Sequence, residues 1–228
     1  MFNRYTITAL PSSIELKFKI KVPDKYHPNF NASPGQILPI ILNTRLSEVS
    51  MARWGLLPGL KNDNEPTPKL YTKDLESIKT SKNWQIALIN RRCLVLADGF
   101  YIWKSISKKS YVPYRVISKS EKMICFCGIW EEDEFHNIYF SIITRSAYKP
   151  VHELAVSMPV VLTPQKEHWW FNPKLSLESV LGEMEIEDWA FFKYYPVSPK
   201  IKDKKLNNPS LIKLAPRADQ HGNLTLFD

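Results

Sequence analysis

A chain of 228 residues with 44% hydrophobic and 24% charged side chains has enough apolar material for a full core, which excludes a disordered or low-complexity protein. Its net charge of +8 and pI near 9.3 permit a polyanionic partner, although a merely solvated basic surface carries the same charge. No apolar run approaches the ~20 residues of a membrane-spanning helix and no secretory leader is read, so a cytosolic protein without a membrane partner is expected.

In chain order, Arg4 to Leu10 is strand-like, and Ser12 to Lys19 fits a short helix or a strand. His27 to Pro39 is rich in Pro, Asn, Ser and Gly and reads as a loop, leading into an apolar strand from Gln36 to Asn43. Glu48 to Leu56 is a further strand, stopped by Pro58-Gly59, and Lys61 to Lys69 is a polar surface loop. Asp74 to Ala87 is the best helix, with Leu75, Ile78, Trp84 and Ile86 set among charged residues. Strands follow at 92–97, 100–104, 111–117, 122–130 and 138–144. Asp98-Gly99 reads as a tight turn between the first two of them, a strand–turn–strand edge suited to presenting side chains to a ligand. Thr163 caps a short helix opened by Pro164, Ser176 to Leu181 forms another, Tyr195 to Lys200 is a last strand, and a polar tail follows.

The expected fold is therefore α+β. It is a single domain over residues 1–228, with mostly antiparallel β sheet in a barrel-like core, a few peripheral helices and a tail from 210 to 228. Cys93, Cys125 and Cys127 read as buried thiols of a reducing compartment. No metal and no cofactor are expected: the seven glycines show neither Walker nor Rossmann spacing, no Gly-x-Ser-x-Gly elbow occurs, and the histidines form no i, i+4 pair.

The block from Arg91 to Lys104, with its buried strand, Asp98-Gly99 and Phe100-Tyr101-Ile102-Trp103, resembles the SRAP family of SOS response-associated peptidases, also called abasic-site-processing proteins. Other pieces resemble the same family in the same order. They are Phe30 to Gly35 (Asn-x-x-Pro-Gly), Trp54 to Gly59 (Trp-Gly-x-x-Pro), Phe140 to Thr144, Met158 to Leu162, and Tyr195 to Ser198 with Asn207-Asn208. The resemblance implies a definite chemistry. Family members begin Met-Cys-Gly-Arg, and removal of Met frees a cysteine whose α-amine, with a pKa near ~8, forms a Schiff base with the aldehyde of an abasic site. The thiol then closes onto the same carbon as a thiazolidine, while an Asn, a Glu and a His position the sugar and move protons. Arg and backbone groups hold phosphates, and the Trp-Gly segment props the bases apart.

This sequence departs from that pattern where the chemistry sits. Phe2 stands at the cysteine position, and Phe there normally keeps the initiator Met, so the free amine would belong to Met1. The family's Asn-Ala-Arg-x-Glu becomes Thr72-Lys73-Asp74-Leu75-Glu76, which keeps only Glu76. The acid of the aromatic-Glu-Trp motif becomes Ile102. Ungapped alignment puts Ala155 at the His position, while a three-residue shift would supply His152. The candidate catalytic positions are thus Phe2, Thr72, Glu76, Ile102 and His152. The candidate DNA contacts are Arg4, Asn31, Trp54, Gly55, Lys73 and Thr144. Each has a plainer reading: Trp54 and Trp103 as core, Asn31 as a turn former, Arg4 as a surface ion pair, His152 as a loop residue.

Three functional readings follow. The first is a monomeric binder of single-stranded or abasic DNA through a basic groove, nucleoid-associated when bound and unable to form the thiazolidine. The second is an enzyme using Met1, Glu76 and His152 in rearranged roles. The third is a protein-interaction scaffold without a nucleic-acid role.

Overall fold

The computed structural model describes residues 2–55, 71–120, 122–185 and 191–225. Two sheets share one core. The first has the order β13 (Phe192–Pro196), β8 (Ser110–Ser118), β7 (Gly99–Ser107), β1 (Tyr5–Ile7) and β2 (Asn29–Ala32), with every pairing antiparallel. The second runs β11 (Ser157–Pro159), β10 (Ile138–Ser146), β4 (Arg45–Trp54), β3 (Ile37–Leu42), β6 (Arg92–Ala97), β9 (Ile124–Glu132) and β12 (Val161–Leu162). Because β10 also pairs with β9, the strands β4, β3, β6, β9 and β10 close into a barrel-like ring. Closing the ring removes free edges from its middle strands. The expected α+β class with mostly antiparallel strands and peripheral helices is what the structure has.

The strand β6 shows why. All six residues of β6 are buried, as a strand covered on both faces requires. Its one charged member, Arg92, keeps its guanidinium inside by donating to the carbonyls of Leu88, Ile89, Trp170 and Asn172 at 2.8–3.2 Å. Two of those carbonyls end a helix, where a cation is favoured. Gly128 on β9 faces the same interior: a Cβ there would lie 2.7 Å from Cys93 Sγ and 3.0 Å from Val95 Cγ2.

Several sequence expectations need correction. Asp98-Gly99 is not a hairpin turn. It carries the chain from β6 in the ring to β7 in the other sheet, since β6 pairs with β3 and β9, and β7 with β1 and β8. The Asp98 carboxylate anchors that crossing. It accepts from Thr6 Oγ1 at 2.5 Å, Thr8 Oγ1 at 2.7 Å, the Thr8 backbone N–H, and Arg115 Nη2 at 2.9 Å. Gly99 has no room for a side chain, because a Cβ would come 2.8 Å from Ile117 Cγ2.

The expected helix from Asp74 to Ala87 is two, α2 (Leu75–Thr80) and α3 (Lys82–Asn90), separated by Ser81 in extended conformation. One non-helical residue shifts the phase of everything after it. Ala87 and Leu88 are buried in α3, and Ile86 is 48% exposed. The loop read at His27 to Pro39 holds β2, recruited by main-chain pairing to the edge of β1. Thr72–Asp74 forms a short strand, β5, parallel to β10. The last strand lies earlier than Tyr195 to Lys200, and Pro199–Lys202 is a 3-10 turn. Within the described part of the polar tail, Pro209–Ile212 forms another 3-10 turn, Leu214 bridges Val197, and Ala218 and Asp219 are buried. The helices before and after the ring strands are α1 (Pro11–Phe18), α4 (Pro164–Glu167) and α5 (Leu177–Met184). Thr163 has the extended backbone of an N-cap for α4 without a side-chain bond, whereas Ser176 does cap α5, accepting from the Ser179 N–H. The segment Lys61 to Lys69 lies outside the described residues.

Asp98→Ala is expected to destabilise the fold by about 3–5 kcal/mol, because it leaves the buried Arg115 without its counter-charge. Urea unfolding monitored by tryptophan fluorescence measures this, and Thr8→Ala should cost about 1 kcal/mol by the same assay.

Candidate functional site

The segments singled out from the sequence converge around one end of β1. Phe2 is 3% exposed, and its ring meets Trp54 at 5.9 Å, Phe100 at 5.9 Å edge-on and Phe126 at 5.8 Å edge-on. Tyr5, one turn of chain further on, packs its ring on Trp54 at 5.1 Å and Phe126 at 5.5 Å. Edge-to-face pairs of this kind add to the burial energy of each ring. The position nearest the start of the chain is therefore an apolar plug.

Trp54 is fixed from every side. It is 1% exposed, stacks with Phe140 at 6.3 Å, and donates its Nε1–H to the Tyr71 carbonyl at 2.7 Å. The indole is thus held among core rings. Gly55 follows with φ 97°, donates its N–H to Phe140 O at 2.8 Å, and sits against Tyr71, where a Cβ would approach to 3.3 Å. A glycine is needed there for conformation and for space. The Asn31–Gly35 loop is knitted to the same place, since Gly35 N–H donates to Trp54 O and Trp54 N–H to Gln36 O. Leu56 to Gly59, the rest of that Trp-Gly segment, lies outside the described residues.

Thr72 is half-buried on β5, next to Tyr71, whose ring lies 6.0 Å from Trp54. Ile102 is 5% exposed on the core-facing side of β7, two residues past Phe100, and faces Tyr114 across the sheet. Thr144 is buried on β10 with Asp74 on one side and Pro159 on the other. Ala155 packs half-buried against the core.

The titratable candidates do not join this cluster. Glu76 is exposed on α2 and pairs with Lys79 at 2.9 Å, and that lysine also engages Glu185. His152 is exposed on a 3-10 turn. No hydrogen bond or ion pair links Glu76 to His152 among the described residues. A second carboxylate was not among the candidates. Glu153 accepts from the Tyr194 hydroxyl at 2.6 Å, and Tyr194 packs edge-on with Tyr114, the partner of Ile102. Nothing in the local sequence marks Glu153, because its link to β7 runs through two tyrosines on other strands.

The candidate phosphate contacts divide. Asn31 is 1% exposed, and its amide donates to the carbonyls of Ile201, Asp203 and Leu206 at 2.9–3.2 Å. It staples the C-terminal turn, and its Oδ1 is buried without a hydrogen-bond partner. Lys73 holds its ammonium 5.1 Å from the Trp84 ring centroid. Arg4 is 6% exposed, not a surface ion pair, and its Nε and Nη1 are buried with no hydrogen-bond partner. Burial lowers its pKa, opposed by the nearby Tyr101 hydroxyl. An unpaired guanidinium inside a protein is costly unless an anion meets it.

Cys93, Cys125 and Cys127 are buried, and burial pushes all three thiols well above the usual range. Among the described residues no group of three or more His, Cys, Asp or Glu could hold a metal ion. No described helix is long and apolar enough to cross a membrane.

Comparison with known proteins fits the same segments. The family model of the SOS response associated peptidase, SRAP, matches residues 1–204. The chain belongs to the SRAP family. Among the similar relatives of this SRAP chain are the abasic site processing protein YoqW of Bacillus subtilis, 31% identical over 93% of this chain and 99% of its own, and the abasic site processing protein HMCES of Rattus norvegicus, 26% identical over 86% of this chain and 69% of its own. A crystal structure from Bacteroides thetaiotaomicron has the same fold, with TM-score 0.81, 19% identity and coverage of 93% and 99% of the two chains. Two of the SRAP segments, those of Trp54 and Phe100, meet at the Phe2 ring, and Tyr71, next to Thr72, packs on Trp54.

Phe2→Ala should lower stability by about 3–5 kcal/mol, since it opens a cavity among three aromatic rings. Thermal denaturation reads the loss, and Phe2→Leu should recover at least half of it.

Proposed function

We propose that this SRAP chain binds single-stranded or abasic DNA but does not form the thiazolidine cross-link. The observation that carries this reading is the packing of Phe2 against Trp54, Phe100 and Phe126. Schiff-base formation needs an amine and an aldehyde and releases water. Ring closure then needs a thiol on the adjacent carbon, whose sulfur bonds to the imine carbon while its proton passes to the nitrogen. A benzyl group supplies no sulfur, so the second step has no reactant. Ile102 cannot donate or accept a proton, and Ala155 cannot either, so the acid–base steps lack groups at those positions.

The binding half of the family's role keeps its support. The net charge of +8 favours a polyanion. Arg4, with two buried donors unpaired, has the chemistry of a phosphate clamp. Lys73 adds a second cation close to Thr72. The relatives named as abasic site processing proteins support DNA as the polyanion. The family's involvement in DNA damage supports a role beside damaged strands, in the cytoplasm or on the nucleoid.

Fluorescence anisotropy with labelled abasic and intact single strands tests both halves. Saturable binding to both at ~50 mM salt is expected, weakening by about tenfold or more at ~200 mM. Arg4→Met should weaken it by about tenfold. Denaturing electrophoresis and mass spectrometry of the abasic reaction, with and without borohydride, should show no adduct. A heat-stable adduct would sink the loss of chemistry, and absence of binding at ~50 mM salt would sink the DNA role. Phe2→Cys alone should still give no adduct, since Ile102 and Ala155 remain.

A further inference from the structure

We propose that a cleft on the outer side of the five-stranded sheet, remote from Phe2, binds an extended acidic peptide bearing aliphatic side chains. The cleft has a volume of about 1080 Å³ and opens past the C-terminal end of β1, where Thr8 and Ala9 line it. Six residues of near-extended chain, roughly 20 Å, separate Thr8 from Phe2. It is therefore separate from the Phe2 cluster, and neither Phe2 nor Arg4 lines it.

Its chemistry is asymmetric. Lys17, Arg115, Lys122 and Lys193 line it, with Asp98 the one carboxylate among its lining residues. Asp98 is already committed to Arg115, Thr6 and Thr8, so it belongs to the floor and does not repel a ligand at the rim. Lys17 keeps an ion pair with Glu167 at 2.7 Å, while Lys122 is exposed. The walls are aliphatic, built from Leu16, Ile117, Met123 and Leu214. Leu16 is 82% exposed and Leu214 is 72% exposed. Both leucines line a basic cleft, where they offer apolar contact to a ligand.

These walls choose between polyanions. A nucleic acid strand gains from flat aromatic platforms on which bases stack. Here both lining tyrosines are tied into the frame: the Tyr195 hydroxyl accepts from Arg115 Nη1 at 2.9 Å and donates to the Ile212 carbonyl at 2.8 Å, and the Tyr194 hydroxyl donates to Glu153 at 2.6 Å while its ring packs edge-on with Tyr114. Branched aliphatic walls with ammonium groups at the rim instead match leucine-like side chains alternating with carboxylates. β13, which carries Lys193 to Tyr195, is the terminal strand of its sheet. An extended peptide beside it can place one face on the leucines and the other on the lysines.

A fluorescein-labelled peptide of about eight residues, Asp alternating with Leu, is the probe, titrated with the full chain at ~50 mM salt. Saturable binding is expected, lost when Asn replaces every Asp. Lys122→Glu and Leu214→Asp, both on exposed positions, should each weaken it tenfold or more with unchanged melting temperature. Lys204→Glu, outside the cleft, should leave it unchanged. No saturation up to ~1 mM, or equal binding by Lys122→Glu and Leu214→Asp, overturns the proposal. So does displacement by an equimolar single-stranded oligonucleotide, which would make the cleft a nucleic-acid surface. Oligonucleotide binding measured separately with the Lys122→Glu chain stays at wild-type strength if the two sites are independent.

Discussion

The Asp98 carboxylate holds the two sheets in their relation to each other. It lies where the chain leaves the ring and enters the five-stranded sheet, and it collects bonds from β1, from the residues just after it and from β8. Arg115 passes the constraint on, through Tyr195, to the carbonyl of Ile212 in the C-terminal segment. A buried carboxylate with four donors fixes direction as well as distance, which an apolar contact does not. The aromatic cluster around Phe2 then assembles on the inner face of a sheet whose position is already set.

Two uses of the same scaffold follow from its two faces. On the inner face, Phe2, Tyr5, Phe100, Ile102 and Trp54 make a dry region where a reactive thiol would otherwise be expected from the family pattern. On the outer face, Arg4 is buried with unmatched donors, and beyond Thr8 a basic cleft with bare leucines opens. The apolar packing thus lies on one face of the sheet and the basic cleft on the other.

The elements that were legible in the sequence were those with strong local signals. β6 and β9 carry apolar runs at 93–97 and 124–130, and Pro164 marks the start of α4, whereas the segment that forms α1 read equally as helix or strand. β2 and β5 were not legible, because Asn29–Ala32 and Thr72–Asp74 are extended only by pairing with strands distant in sequence. Ser81 broke a helix whose periodicity ran through it. At the site, Phe2 and Ile102 were readable as the wrong residue types for the family's reaction. The orphaned guanidinium of Arg4, the staple made by Asn31 and the link from Glu153 to β7 were not, since each depends on partners from other parts of the chain.

The sequence by itself determined the family, the absence of a cysteine at the second position, the basic charge and the apolar strands of the ring. Those depend on residue identity and on near neighbours. Only the tertiary structure decided that Asp98-Gly99 is a crossing between sheets and not a hairpin. The same dipeptide serves either role, and the choice rests on whether β7 finds its partners in β6 or in β1 and β8. It also decided that Phe2 is sealed among three rings, which requires β1, β4, β7 and β9 to meet, and no local pattern encodes that meeting.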